Sequence, residues 1–380
     1  MNNTLAAIPK WLDTIDPGAH RRTKGLRLVT TYGLALSFGT LRDVTSGIPP
    51  DVALGTLAAG FALWAGVFEA RTTRYEASRD LAVMCIAAAA GAAFYALISA
   101  WLVAHAGVGG EWILITGAFL AAYLKRYGAL GAGVGSQIYI GELLAYGMHL
   151  GPSDLWAINI AGLVAIAAAI VPRLLSGPAE QPPLARLPVP TPAPVCPGRI
   201  SPELAMGLQA TTAALIVIAM NSAFGLTESA WAVTACVYVV TNTAAGTIDR
   251  VRRRIIGTLV GVPLGLACLP LAAHAPLLIW GAACVAMIVY TMALPERYDI
   301  ACGAFAFTLI VTLAASGEHS IAFLLARAWE TVLGGLIGMA MALVVFPLKA
   351  ASDGRASRID YTLSGPPYSA NAGRSATRLK

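Results

Sequence analysis

Twelve apolar segments, each bounded by charged residues, proline or glycine, follow one another along this chain. They lie at about 25–41, 51–68, 81–104, 111–124, 128–148, 154–176, 203–224, 229–247, 255–273, 276–294, 300–317 and 321–347. About 20 helical residues cross the hydrocarbon core of a bilayer. Only 12% of the residues are charged, about half the share that is usual in a soluble domain. The sequence therefore predicts an all-α integral membrane protein with about 12 transmembrane helices.

The basic residues are arranged as topology signals. If both termini lie in the cytoplasm, the loops on that side hold nearly all Lys and Arg residues, and only Arg42 falls on the outer side. This is the distribution that the positive-inside rule describes. The basic residues form no continuous stripe, which argues against nucleic-acid binding despite a net charge of +6. We therefore expect a multi-pass protein whose termini are cytoplasmic and whose basic loops contact membrane lipids.

The chain divides into two halves of similar size. We expect a cytoplasmic N-terminus at 1–24, a first six-helix repeat at 25–176, a proline-rich cytoplasmic linker at 177–200, a second six-helix repeat at 201–348 and a disordered cytoplasmic tail at 349–380. The tripeptide at 125–127 resembles that at 296–298, and Gly25 corresponds to Gly207. Because each half has an even number of crossings, the two tandem repeats are predicted to have parallel topology, related by an axis along the membrane normal.

The last apolar segment carries two charged residues. Counting ~1.5 Å per helical residue from Ile321 places Arg327 about 9 Å and Glu330 about 13 Å into a core about 30 Å thick. A charge that faces lipid near the centre costs about 2.5 to 3.5 kcal/mol, so both side chains are expected to face protein or water. Either Arg327 attracts an organic carboxylate while Glu330 exchanges a proton, or the two form a structural salt bridge. Gly334 and Gly335 follow, where another helix can approach closely.

Four further polar residues are candidates for a substrate or proton pathway. Glu142 lies in the outer third of the fifth segment, where it lines the pathway, pairs with Arg327 or is simply solvated. Asn242 bonds either substrate or a neighbouring helix. Arg254 ends a basic loop at 249–254, which either draws anions towards an inner vestibule or acts as a topology signal at lipid headgroups. Arg297 enters a helix at the same membrane face.

Residues 231–261 combine an apolar helix, the short basic loop and the pattern Arg254-x-x-Gly257-Thr258-x-x-Gly261. This stretch resembles the signature of the fusaric acid resistance (FUSC) and aromatic acid exporter family. We expect the two glycines and the threonine to permit close helix packing rather than to bind phosphate.

The resemblance implies an inner-membrane exporter of small organic acids in a bacterium, often working with a periplasmic adaptor protein. The six-helix unit is also similar to that of plant aluminium-activated malate transporters, anion channels in which two such units pair around a pore. Both relatives have an organic anion as their substrate. Neither implies a cofactor.

The interpretation that we favour is a proton-coupled exporter of small aromatic or amphipathic organic acids. A passive anion channel of the same architecture and a non-transporting membrane scaffold are the alternatives. The sequence contains no hydrolase triad, Walker motif or zinc-ligand spacing, and its 6 cysteines are scattered singly. We therefore expect neither an enzyme nor a metal site.

Overall fold

The computed structural model describes residues 16, 19–45, 47–48, 52–70, 73–176, 200–226, 229–294, 296–315 and 321–347. Within them, the helices of ten or more residues are α1 (His20–Phe38), α2 (Leu54–Phe68), α3 (Arg74–Ala106), α4 (Leu114–Tyr123), α5 (Gly128–Gly147), α6 (Leu155–Leu175), α7 (Pro202–Phe224), α8 (Ser229–Val239), α9 (Ala244–Ala267), α10 (Pro276–Ala293), α11 (Tyr298–Ala315) and α12 (Ile321–Val344). Shorter helical turns lie at Arg42–Thr45, Gly110–Ile113, Leu124–Tyr127, Pro152–Asp154 and Leu269–His274. The predicted tail, almost all of the linker and most of the N-terminal segment lie outside the described residues.

Seven helical stretches of the described chain are long and apolar enough to cross a membrane. They are Arg74–Ala106, Gly110–Gly147, Pro152–Leu175, Pro202–Phe224, Ala244–Leu271, Pro276–Ala293 and Leu324–Val344. The second stretch holds both α4 and α5, which pack on each other after the chain reverses at Gly128, where φ is 79°. The protein is thus an all-helical, multi-pass membrane protein, while the predicted number of crossings stays a prediction.

Helices lie at the predicted apolar segments, but some begin earlier because the charged residues before an apolar segment are part of the same helix. Thr73 caps α3 by accepting a hydrogen bond from the Glu76 N–H at 3.3 Å. Thr243 caps α9 in the same way through the Gly246 N–H at 3.1 Å. The predicted basic loop at 249–254 is therefore wrong, since these residues form part of α9.

Most packing contacts among the first six helices recur six helices later, although within the described residues the contact between α2 and α5 has no counterpart between α8 and α11. α1 packs on α2 and α6, and α7 packs on α8 and α12. α3 packs on α5 and α6, and α9 packs on α11 and α12. The pairs α4–α5 and α2–α6 likewise correspond to α10–α11 and α8–α12. The two halves also contact each other, because α1 packs on α10 and α7 packs on α4.

A glycine lies at each of these two junctions between the halves. A Cβ at Gly25 of α1 would be 2.5 Å from Thr291 Oγ1 of α10. A Cβ at Gly207 of α7 would be 2.8 Å from the Phe119 ring of α4. A larger side chain at either position would have to displace the Thr291 or Phe119 side chain, so these glycines permit the close approach of the halves.

Arg21 links α1 to the end of α10 and to the residues that follow it. Its guanidinium donates hydrogen bonds to both carboxylate oxygens of Glu296, at 2.9 and 2.6 Å, and to the Met292 carbonyl at 3.2 Å. The hydrogen bonds from Arg21 to this carboxylate, together with the charge of Arg21, lower the pKa of the Glu296 carboxyl. The carboxylate consequently keeps its charge, and its link between the halves, as the pH falls towards the range where an isolated glutamate is protonated.

Candidate functional site

Arg254 lies half-buried on α9, where the charged start of this helix meets its apolar remainder. In the described part of the chain no carboxylate pairs with it, and its Nε is buried without a hydrogen-bond partner. An arginine is always charged. Leaving a buried donor without an acceptor costs about 1–3 kcal/mol. The surroundings of Arg254 therefore favour an additional acceptor, such as an anion.

Three tyrosines lie near enough to interact electrostatically with this guanidinium: Tyr238 of α8, Tyr290 of α10 and Tyr298 of α11. Tyr298 is also within hydrogen-bonding reach of it. All three are half-buried. We call these tyrosines and Arg254 the Arg254 cluster. A guanidinium binds a carboxylate through two parallel hydrogen bonds, and aromatic side chains offer their faces and edges to a ring. The cluster is thus suited to an acid that carries an aromatic group.

Aromatic residues connect the Arg254 cluster to the first half of the chain. The ring of Tyr139 on α5 meets that of Tyr238 edge-on, with their centres 6.1 Å apart. The Phe305 ring lies 6.2 Å from that of Tyr290 and 5.4 Å from that of Trp64 on α2. The cluster therefore borders the region where the two halves meet.

Residues 213–341 match a family model described as fusaric acid resistance protein-like. The match confirms the resemblance to the FUSC family. The matched region contains all four residues of the Arg254 cluster. No curated protein and no solved structure matches the chain.

Glu330 lies within the FUSC match, on α12, and its side chain is 0% exposed. The carboxylate therefore faces protein and not lipid. The side chain of Arg327 lies outside the described residues, so its pairing with Glu330 stays a prediction. Gly334 lies against α8, because a Cβ there would be 2.1 Å from the Ala232 carbonyl oxygen. Gly335 has ordinary room for a Cβ, 3.6 Å from the Val251 side chain.

Three residues of the FUSC signature lie where α9 meets α11. A Cβ at Gly257 would be 2.3 Å from the Asp299 carbonyl oxygen, and one at Gly261 would be 2.2 Å from that of Gly303. Thr258 is buried beside them. The signature thus brings two backbones together and places Arg254, one turn earlier, next to the start of α11.

Glu142 is fully buried on α5, with 0% exposure. The alternative that it is solvated at the outer surface is therefore wrong, because α4 packs over it. Its two oxygens accept hydrogen bonds from Thr116 Oγ1 at 2.8 Å and from the Gly117 N–H at 3.0 Å. No hydrogen bond or ion pair joins Glu142 to the Arg254 cluster in the described residues.

Asn242 and Arg297 lie outside the Arg254 cluster. Asn242 is exposed in the break between α8 and α9, not within a crossing as predicted. Arg297 is exposed in the turn before α11 and pairs with Asp299 at 3.0 Å. This arginine lowers the pKa of the Asp299 carboxyl, mainly through the hydrogen bond between them.

Two buried polar features were not predicted. Gln137 on α5 is 0% exposed, and neither atom of its amide has a hydrogen-bond partner in the described residues. Glu69, at the end of α2, pairs with Arg27 of α1 at 3.4 Å and with Arg173 of α6 at 3.3 Å. The sequence did contain a signal for Gln137, which is a polar residue inside an apolar segment. Glu69 was missed because the basic residues around it look like topology signals in the sequence.

Proposed function

We propose that this chain exports small organic acids, aromatic or amphipathic, across the inner membrane of a bacterium. The observation that carries the proposal is Arg254, a half-buried cation without a carboxylate partner in the described residues, set among three tyrosines. The family description supports the same substrate class, because fusaric acid is itself an aromatic carboxylic acid.

The proposed route runs between two parallel six-helix repeats. Support comes from the recurrence of most packing pairs six helices later and from the reciprocal junctions α1–α10 and α7–α4. With both termini cytoplasmic, Arg254 lies at the inner end of this route. The basic residues at 249–254 then raise the concentration of anions at the entrance. A periplasmic adaptor would receive the substrate at the outer end.

Proton uptake is proposed to drive export, with Glu330 as one carrier. A carboxylate enclosed in the membrane part of a protein is costly as an anion and binds a proton readily. Glu330→Gln is expected to lose proton-driven accumulation while the protein still reaches the membrane. Glu76→Gln is the control. The Glu76 carboxylate accepts an exposed hydrogen bond from Thr73 at the start of α3 and has no part in the proposed pathway. Unchanged accumulation in Glu330→Gln would exclude the carrier role.

The proposed function is tested with purified protein in liposomes. An imposed pH gradient should drive fusaric acid or benzoate against its own gradient. Flux that follows membrane voltage and ignores the pH step would identify a passive anion channel instead. No flux with any aromatic acid in a panel would contradict both and would favour a scaffold.

A further inference from the structure

Two buried carboxylates lie at the predicted outer side of the first half, and no cation of the described residues pairs with either of them. Glu142 of α5 accepts its hydrogen bonds from a hydroxyl and a backbone N–H of α4. Glu111, in the turn before α4, is 9% exposed and accepts hydrogen bonds from Asn221 Nδ2 at 2.6 Å and Ser229 Oγ at 3.4 Å. Neither forms an ion pair in the described residues.

A carboxylate without a cation is poorly suited to such a place. Moving an ionised carboxylate out of water is expensive, and neutral hydrogen-bond donors offset only part of the cost. A bound proton or metal cation would remove this cost. Within the described residues, Glu111 accepts hydrogen bonds from the Asn221 amide nitrogen and the Ser229 hydroxyl, and Glu142 accepts them from a hydroxyl and a backbone N–H. Neither arrangement provides the six or more oxygens of a hard-cation site.

The two carboxylates are arranged along one helix. Glu111 precedes α4, whereas Glu142 is bound at Thr116 and Gly117, about 8 Å further along the axis at ~1.5 Å per residue. Thr116 Oγ1 lies 2.8 Å from the Ile113 carbonyl oxygen and 2.8 Å from Glu142 Oε1, and its single proton goes to one of them at a time. This hydroxyl therefore lies between the two ends. Glu111 belongs to the predicted outer end of the fourth segment.

The groups that face these carboxylates are few. Tyr95 of α3 lies near Glu111, together with Asn221 of α7 and Ser229 of α8. Tyr139 of α5 lies near Glu142. The residue before Glu142, Gly141, packs on the backbone of Ala88 of α3. These neighbours contribute no charge at neutral pH that competes with a proton.

We propose that Glu111 and Glu142 are successive proton-binding sites that connect the outer surface with the interior of the transporter. A proton from outer water binds the Glu111 carboxylate and then passes, through water beside Thr116, to the Glu142 carboxylate. No other bond forms or breaks. Asn221 and Ser229 tie the outer site to the second half, so its protonation is linked to the contact between the halves. The proposal rests on the proton-coupled export proposed above.

The test compares Glu111→Gln and Glu142→Gln with the wild type in liposomes, in sodium-free buffer. Both variants should retain substrate exchange at equal pH on the two sides, but should lose proton-driven accumulation and substrate-dependent proton uptake. Glu76→Gln should behave as the wild type. Normal proton-driven accumulation in both variants would overturn the relay, whereas a wild type without any substrate flux would overturn the proposed function instead.

A second measurement does not depend on transport and is used if the variants fold too poorly for the liposome assay. Infrared difference spectra of the wild type across a pH step should show the carbonyl band of protonated carboxyl groups, and each glutamine substitution should remove part of it. Spectra of Glu111→Gln and Glu142→Gln that match the wild type would overturn the proposal. Accumulation driven by a sodium gradient at constant pH, and lost in both variants, would also overturn it, because the sites would then bind a metal cation.

Discussion

Replacing Arg254 by glutamine is expected to lower the export rate of an aromatic acid about 10- to 100-fold. A hydrogen bond between charged groups contributes about 1.5–3 kcal/mol, and each 1.4 kcal/mol is a factor of about ten. Because no carboxylate pairs with Arg254 in the described residues, the substitution leaves no buried anion behind. The measurement is initial efflux from loaded liposomes at several substrate concentrations.

Arg252→Gln is the matched control for this prediction. Arg252 lies on the same helix, two residues earlier, and is exposed. It therefore changes the long-range charge of the entrance by the same amount without touching the Arg254 cluster. Equal losses in the two variants would show that only the net charge matters, and full activity in Arg254→Gln would exclude a substrate contact there.

Gly261→Ala is expected to destabilise the protein markedly. The added methyl would lie 2.2 Å from the Gly303 carbonyl oxygen, and neither backbone can yield without separating α9 from α11. Overpacking of this kind costs about 1–3 kcal/mol. The midpoint of thermal aggregation in detergent, at one heating rate, measures the effect, because unfolding of membrane proteins is commonly irreversible.

Gly335→Ala is expected not to destabilise the protein, in contrast to Gly261→Ala. A Cβ there meets only the Val251 side chain at 3.6 Å, an ordinary contact. Alanine is preferred over glycine within a helix by about 0.5–1 kcal/mol, so this variant should be as stable as the wild type or slightly more so. Similar losses in Gly261→Ala and Gly335→Ala would contradict the assignment of the close approach to Gly261.

Hydrophobic length predicted the helices of this chain better than it predicted their ends. Apolar residues identify the part of a helix that lies in the bilayer. α9, however, begins before its apolar part, with a charged stretch that starts directly after the Thr243 cap. A hydropathy pattern contains no information about that extension. The capping threonines were visible in the sequence, although Thr243 lay inside a predicted crossing.

The candidate site was predicted only in part. Arg254 stood out because a charge precedes the glycine pattern, but its three tyrosines come from three other helices and only the fold brings them together. Glu111 lies at the edge of an apolar segment, where a charged residue normally marks a boundary. Its burial results from the contact with α7 and α8, which sequence reasoning about one segment cannot reach.

The two halves touch each other in two separate places. α1 of the first half packs on α10 of the second, and α7 of the second half packs on α4 of the first. Separating the halves along one edge would break the helix contacts at one of these junctions. Any rearrangement of one half against the other therefore has to keep or replace both sets of contacts.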